Sequence, residues 1–192
     1  MHNEEIESFA WKRAGTVARY VLLTGVLSFI GWAYETVFVL VMTGSFYNQG
    51  FLTLPFCPIY GFSLLAVYLL IGTPTEGRGI LKNEQNPFRR YALYLAFSFL
   101  IPTAAELLVG FFFDNFFHVR LWSYKGVPYN FRGYISLPVS LAWMGLIFLF
   151  MRFLFSPIKS AVFRIPNKTA ILLSAILLTA VAVDFIFSFF SI

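Results

Sequence analysis

The stretch TAILLSAILLTAVAVDFIFSFF, residues 169–190, decides the fold class, because Asp184 is the single charged residue in a continuous apolar run. A helix needs roughly 20 apolar residues to cross a hydrocarbon core of about 30 Å. A membrane β-strand would instead alternate apolar and polar residues. The stretch therefore predicts a membrane-spanning helix, in which every backbone group is satisfied internally.

Four further apolar runs precede this one. They occupy about residues 20–43, 54–71, 91–113 and 134–155. Hydrophobic residues make up 59% of the 192 residues and charged residues 12%, which is more apolar surface than a soluble domain of this length could cover. We predict an all-α, polytopic transmembrane helical bundle of about five spans, a single integral membrane domain over residues 1–192 of a cell (plasma) membrane protein.

The basic residues predict the orientation of this bundle. Three of them precede the first span, four lie between the second and third spans, and four surround the connection between the fourth and fifth spans. The opposite side carries only Arg120, Lys125 and Arg132. Cytoplasmic loops are enriched in Lys and Arg, so the N-terminus is predicted to be cytoplasmic and residues 114–133 to lie outside. The net charge of +5 then reports topology, and nucleic acid is not an expected partner.

The sequence lacks the motifs that mark disulfides, metal sites and ATP-binding loops. The single cysteine, Cys57, allows neither an intramolecular disulfide nor a cysteine-based zinc site. Two histidines exclude a histidine-rich metal site, and no glycine-rich loop ends in Gly-Lys-Ser/Thr for binding ATP. We therefore predict no metal and no cofactor, and we favour a non-enzymatic role.

Three acidic residues inside the predicted spans are the most informative candidates, because stranding a charge there costs a few kcal/mol or more. Glu35, Glu106 and Asp184 each lie eight residues before the outer end of a span, about 12 Å deep at 1.5 Å per residue. Equal depth predicts a polar site in the outer half of the bundle. Alternatively, each acid hydrogen-bonds to a neighbouring Ser, Thr or Tyr or stays protonated, and we favour this for Asp184. Arg132 is the best placed cationic partner, with snorkelling to the surface as its alternative.

A second candidate segment is LPFCPIYG, residues 54–61. Its two prolines discourage regular helix before Ile59, and irregular backbone at membrane depth needs protein or a wet cavity around it. We expect the segment to pack inside the bundle near the acids. Cys57 could serve as a nucleophile with His118 as its base, but a small apolar filler is the favoured interpretation.

The outer loop, residues 114–133, is rich in aromatic residues, which predicts that it lies in the interface or dips back into the bundle. Asn130 supplies both donors and acceptors, and Gly133 permits a tight turn. An aromatic belt with ordinary turn chemistry is the alternative explanation.

Three stretches of the sequence are informative together: FIGWAYE at residues 29–35, NQGFL at 48–52 followed by Pro55, and CPIYG at 57–61. The first resembles the opening motif of the putative ABC-transporter type IV permease family, and the other two resemble its second motif. Glu106 matches the acid of its third span. A further resemblance, to the last motif of the family, rests on Trp122, Tyr124, Pro128, Asn130, Gly133 and Ile135, and Trp143 follows at a similar spacing. Ser123 and Gln49 depart from the family, which usually has an acid and often an Arg there.

The resemblance covers about residues 20–152 and implies a permease-like role in the lipid bilayer, with a separate ATPase subunit or with further copies of the same chain. The candidate substrate-binding residues are Glu35, Glu106, Tyr60, Asn130, Arg132, Trp32, Trp122, Tyr124 and Cys57. Two other functions stay open. One is a membrane-embedded enzyme acting on a lipid or lipid-linked substrate, and the other is a non-catalytic partner of a membrane complex.

The predicted orientation can be tested with single cysteines in a Cys57→Ser background. We expect Ser123→Cys to react with a membrane-impermeant maleimide in intact cells, because residue 123 is predicted to lie outside. Asn83→Cys should react only after the membrane is permeabilised. Labelling of Asn83→Cys but not Ser123→Cys in intact cells would reverse the orientation.

Overall fold

A computed structural model describes residues 2–190, with side chains from residue 9 onward. Met1, Ser191 and Ile192 lie outside the described residues. Ile192 is the residue from which the depth of Asp184 was counted. The described chain is mostly helical, with two short strands as its only sheet, which confirms the all-α class. Its helices are α1 (His2–Thr43), α2 (Pro58–Ile71), α3 (Pro87–Phe116), α4 (Leu137–Phe153), α5 (Phe155–Phe163) and α6 (Asn167–Phe190). A short 3-10 helix, Gly79–Leu81, precedes α3, and strands β1 (Asn130–Phe131) and β2 (Ile135–Ser136) form an antiparallel hairpin.

Three helices are long and apolar enough to cross a membrane: Phe9–Thr43 of α1, Pro87–Phe116 (α3) and Asn167–Phe190 (α6). A fourth candidate arises if α4 and α5, which a bend separates, are counted as one broken span. The apolar helix α2 has only 14 residues, since it begins at the second of two prolines rather than at residue 54. The count of five spans and the orientation stay predictions.

The chain folds as two compact units. The first comprises the chain up to Gly61 together with the segment from Pro157 onward, and the second comprises Phe62–Ser156. Glu35 and Asp184 belong to the first unit, whereas Glu106 and the outer loop belong to the second.

In the first unit, α1 and α6 run parallel and in close contact. A Cβ added at Gly15 would meet Asn167, and one added at Gly25 would meet Leu177, ten residues further along both helices. Arg19 of α1 hydrogen-bonds to residues at the start of α6. Its Nε and one terminal nitrogen donate to the Ile165 carbonyl at 2.9 and 2.7 Å, and the terminal nitrogen also donates to Asn167 Oδ1 at 2.7 Å. All of these acceptors are protein oxygens, so the Arg19 guanidinium links α1 to the start of α6.

Two glycines bring α1 and the start of α2 together. A Cβ added at Gly31 would meet the Tyr60 ring at 2.5 Å, and one at Gly61 would meet the Ser28 hydroxyl and the backbone carbonyl of Thr24. Small residues at such crossings let helix backbones approach closely. The Cys57 amide also donates to the Ser28 carbonyl at 3.1 Å, which fixes the entry into α2.

In the second unit, α3 packs against α4. Tyr94 is fully buried, its ring lies 6.1 Å from that of Phe148 in edge-to-face geometry, and its hydroxyl donates to the Gly72 carbonyl at 3.3 Å. At the other end of α3, a Cβ at Gly110 would lie 3.2 Å from Tyr134 and 3.3 Å from Trp122. These contacts attach the outer loop and its hairpin to the end of α3.

We predict that Gly61→Ala destabilises the protein, because the new methyl group would push against the backbone of α1. Overpacking of this kind costs about 1–3 kcal/mol. Gly145→Ala is the matched control, since nothing lies within 4 Å of the position of its added Cβ in α4. Thermal unfolding in detergent, followed by tryptophan fluorescence, should show a lower Tm for Gly61→Ala alone. Equal Tm values for the two variants would contradict the close crossing.

Candidate functional site

The structure brings three of the predicted site residues together around Glu35. The Tyr60 hydroxyl, in the first turn of α2, donates to Glu35 Oε2 at 2.9 Å. The buried Cys57 thiol, directly before α2, lies 3.9 Å from the same oxygen. The Cys57 thiol thus contacts the Glu35 carboxyl, which the sequence did not reveal.

The second carboxyl oxygen of Glu35 is left for another partner. No described residue donates a hydrogen bond to Oε1, and no lysine or arginine of the described chain pairs with Glu35. The residue is only partly buried. A carboxyl group inside a candidate span that has one hydrogen-bonded and one open oxygen can accept a proton, a cation or a hydrogen-bond donor.

The connection from α1 to α2, residues 44–57, is organised by Asn48 and Trp32. The Trp32 indole N–H donates to Asn48 Oδ1 at 2.6 Å, and Asn48 Nδ2 donates to the carbonyls of Leu52 and Thr53 at 3.1 Å each. The Cys57 thiol donates to the Gln49 carbonyl at 3.5 Å. Trp32, which we predicted to contact substrate, thus uses its polar atom to hold this loop beside Glu35.

Asp184 holds the same loop from α6. The Thr53 hydroxyl donates to Oδ1, and the Leu54 amide donates to Oδ2 at 3.0 Å. Asp184 is 8% exposed, and the rings of Phe51 and Phe185 lie 5.3 Å apart next to it. Both oxygens of this carboxyl group are thus used within the protein, which agrees with the hydrogen-bonding alternative for Asp184.

In the second unit, the third acid also accepts from a phenol. The Tyr124 hydroxyl donates to Glu106 Oε1 at 3.3 Å. Two other predicted site residues of the loop form hydrogen bonds that stabilise its turn. The Trp122 indole donates to the Tyr134 carbonyl at 2.8 Å, and Asn130 Nδ2 donates to the Val127 carbonyl at 2.8 Å. Asn130 Oδ1 also accepts from the Gly133 amide at 3.1 Å, so this side chain is committed to the hairpin.

Arg120, rather than Arg132, is the arginine of the outer loop that pairs with an acid. It forms an ion pair with Asp114, which also accepts from the Tyr134 hydroxyl at 2.7 Å. The hydrogen bond that Arg120 donates to Asp114 raises the pKa of the Arg120 guanidinium, because the carboxylate favours the charged form. Arg132 is exposed and its guanidinium lies 5.9 Å from the Phe131 ring. Sequence analysis missed Asp114, although its place at the end of an apolar run six residues before Arg120 was a signal.

Left-handed backbone is concentrated in this loop. His118, Tyr129 and Arg132 have φ values of 56°, 52° and 53°, a region that non-glycine residues seldom adopt. The hydrogen bonds of Asn130 and Trp122 surround two of these positions and hold the strained turn in place.

A family model described as "Putative ABC-transporter type IV" matches residues 22–189. No curated protein and no solved structure shows significant similarity to the chain. The matched range includes Glu35, Glu106 and Asp184.

We predict that Asp184→Asn loosens the loop without unfolding the helices. The substitution keeps the shape but replaces one acceptor oxygen by an amide that faces hydrogen-bond donors. Loss of a hydrogen bond to a charged group costs about 1.5–3 kcal/mol. Amide hydrogen exchange at residues 48–56 should therefore become at least about tenfold faster through local opening.

Thr53→Ala serves as a graded control for this experiment. It removes one donor and leaves the Leu54 amide bound to Asp184, so the loop should exchange at an intermediate rate. Unchanged exchange in Asp184→Asn would show that this carboxyl group does not hold the loop.

Proposed function

The chain belongs to the putative ABC-transporter type IV family, and on that premise we propose that it is a permease subunit whose polar site at Glu35 contacts the transported substrate. It is an ABC-transporter-type membrane protein with long apolar helices. A multi-pass location in the cell membrane, with the N-terminus in the cytoplasm, is part of the proposal.

The open oxygen of Glu35 is the observation that carries the proposal. Asp184, in the same unit, gives both of its oxygens to the loop, whereas Glu35 gives one to Tyr60 and keeps the other. An acidic side chain in an apolar helix is costly to bury. When one of its carboxyl oxygens has no partner within the protein, the side chain is a candidate for function. Tyr60 fixes the orientation of the carboxyl group and can exchange its hydrogen bond with a substrate.

The surroundings of Glu35 favour a substrate that donates hydrogen bonds or carries positive charge. Among the described residues, the side chains that contact the Glu35 carboxyl group are Tyr60 and Cys57, and neither is cationic. Rings line the same face, since Phe29 stacks on Trp32 at 5.8 Å and approaches Phe56 at 6.3 Å. Aromatic faces attract cations as well as apolar groups. In the second unit, Glu106 with Tyr124 forms another carboxyl–phenol pair, and we include it among the substrate-binding residues.

Energy for transport would come from a separate ATPase subunit, since the sequence carries no phosphate-binding loop of the Gly-Lys-Ser/Thr kind. Association of several copies would supply more helices than one chain offers to a transport path. Both partners belong to the proposal.

One contact favours a second candidate function, a membrane enzyme acting on a lipid or lipid-linked substrate. The Cys57 thiol lies 3.9 Å from Glu35 Oε2, a thiol–carboxyl pair in which Glu35 could act as base. The thiol is only 3% exposed, however, which disfavours attack on a bulky substrate. Cys57→Ser should leave the cellular lipid profile unchanged if the transport proposal holds.

Affinity purification tests the proposal directly. We predict that the chain, purified from membranes in mild detergent, retains an ATPase, and that Glu35→Gln retains the same amount. Glu35→Gln should nevertheless abolish transport, measured as the change in intracellular small molecules between cells that express the wild-type chain and cells that lack it. Removing the charge alone should suffice, because the amide still fills the space of the carboxyl group.

Glu76→Gln is the matched control, since Glu76 is an exposed acid of the second unit with no side-chain hydrogen bond among the described residues. It should behave as wild type in both measurements. Recovery of the chain alone in every preparation would contradict the ABC-transporter role. A lower protein level as the sole effect of Glu35→Gln would instead favour the non-catalytic partner.

A further inference from the structure

A groove runs along the first unit between the N-terminal half of α1 and the beginning of α6. Its volume is about 460 Å³. Alanines at positions 10, 14 and 18 of α1 recur every four residues and so open one face of that helix, while Ile171 and Leu178 of α6 form the opposite wall. The groove is far from Glu35 along α1 and plays no part in the proposed transport site.

The lining of this groove is mostly apolar, which favours an apolar occupant. Ser174 is the one hydroxyl-bearing side chain among its lining residues, and it donates to the Ile171 carbonyl of its own helix at 2.9 Å. The groove spans residues 10 to 21 of α1, which is about 16 Å at 1.5 Å per residue. The α6 wall, from Ile171 to Leu178, lies in the first half of the predicted span 169–190, so the groove extends from the level of Arg13 into the predicted inner leaflet.

Arg13 lies near the N-terminal end of the groove and is its one charged lining residue. It forms no ion pair or side-chain hydrogen bond with any residue that the structure describes. The residues one turn away on α1 are Phe9, Ala10, Thr16 and Val17, so no acid faces it along the helix. An accessible guanidinium at the end of an apolar groove is suited to a phosphate group.

We propose that this groove binds an anionic phospholipid, with one acyl chain between α1 and α6 and the phosphate on Arg13. The inference does not depend on the proposed transport function. In the predicted topology, the N-terminal end of α1 faces the cytoplasm, so the lipid belongs to the inner leaflet.

The charge around the groove selects an anionic lipid over a second copy of the chain. Lys12 flanks Arg13 on α1, and Lys168 follows Asn167, which contacts Gly15 at the same level. Arg164 lies in the turn before α6. A second copy would present these same cations at this level, whereas an anionic headgroup would neutralise them.

Native mass spectrometry of the purified full chain tests this site with two defined probes. Phosphatidylglycerol and phosphatidylcholine with identical acyl chains are added to the wild-type protein and to its variants. We expect the wild type to retain one phosphatidylglycerol in preference to phosphatidylcholine. Arg13→Ala should lower phosphatidylglycerol retention about tenfold or more, since a charge-assisted contact is lost.

Three further variants make the result specific. Arg13→Lys keeps the charge and should retain most of the binding, which excludes misfolding as the cause of a loss. Lys12→Ala removes a neighbouring cation that does not line the groove, so it should lower phosphatidylglycerol retention much less than Arg13→Ala. Ala14→Leu fills the groove and should reduce retention of both lipids.

The proposal is overturned by equal retention in Arg13→Ala and wild type, or by equal losses in Lys12→Ala and Arg13→Ala, which would mean general surface attraction. It is also overturned if Ala14→Leu leaves binding intact. Spectra that show a second protein chain and no lipid would assign the groove to a dimer contact instead.

Discussion

Close approach of backbones at Gly31 and Gly61 is the constraint on which the first unit depends. Because neither residue carries a Cβ, the start of α2 can lie against the backbone of α1 at Thr24 and Ser28. That approach places Tyr60 and Cys57 beside Glu35 and lets the Cys57 amide reach the Ser28 carbonyl. The two prolines before Ile59 support the same arrangement, because they end the loop and begin α2 at a fixed point.

Near this crossing, Asp184 and Glu35 differ in how many of their carboxyl oxygens accept hydrogen bonds from the protein. Asp184 is a structural residue, since its two oxygens hold the α1–α2 connection through Thr53 and Leu54. Glu35 shares only one oxygen with Tyr60, and that difference separates a functional candidate from a structural one. Asp184 on α6 and Trp32 on α1 both hold the segment that ends at Cys57. The connection between α1 and α2 is therefore linked to the surroundings of Glu35.

The outer loop of the second unit shows a different use of polar residues. Asn130 and Trp122 resemble site residues in the sequence, yet their polar atoms stabilise a hairpin with left-handed backbone at Tyr129 and Arg132. A sequence motif cannot distinguish a side chain that binds a ligand from one that satisfies a strained turn, because both need the same donors and acceptors. Arg120 illustrates the converse, since its pairing with Asp114 depends on the path of the intervening chain.

The length and apolarity of the runs determined by themselves that this protein is helical and belongs in a membrane. The strands of a membrane barrel alternate apolar and polar residues, so a continuous apolar run can satisfy its backbone groups in hydrocarbon as a helix. The sequence also marked Glu35, Glu106 and Asp184, since charged residues in such runs stand out against their surroundings. Only the tertiary structure decided that Glu35 meets Tyr60 and Cys57, that Asp184 meets Thr53, and that α1 and α6 leave a groove at Arg13. These contacts join residues far apart in the chain, and they follow from helix rotation and close packing, which hydropathy alone does not encode.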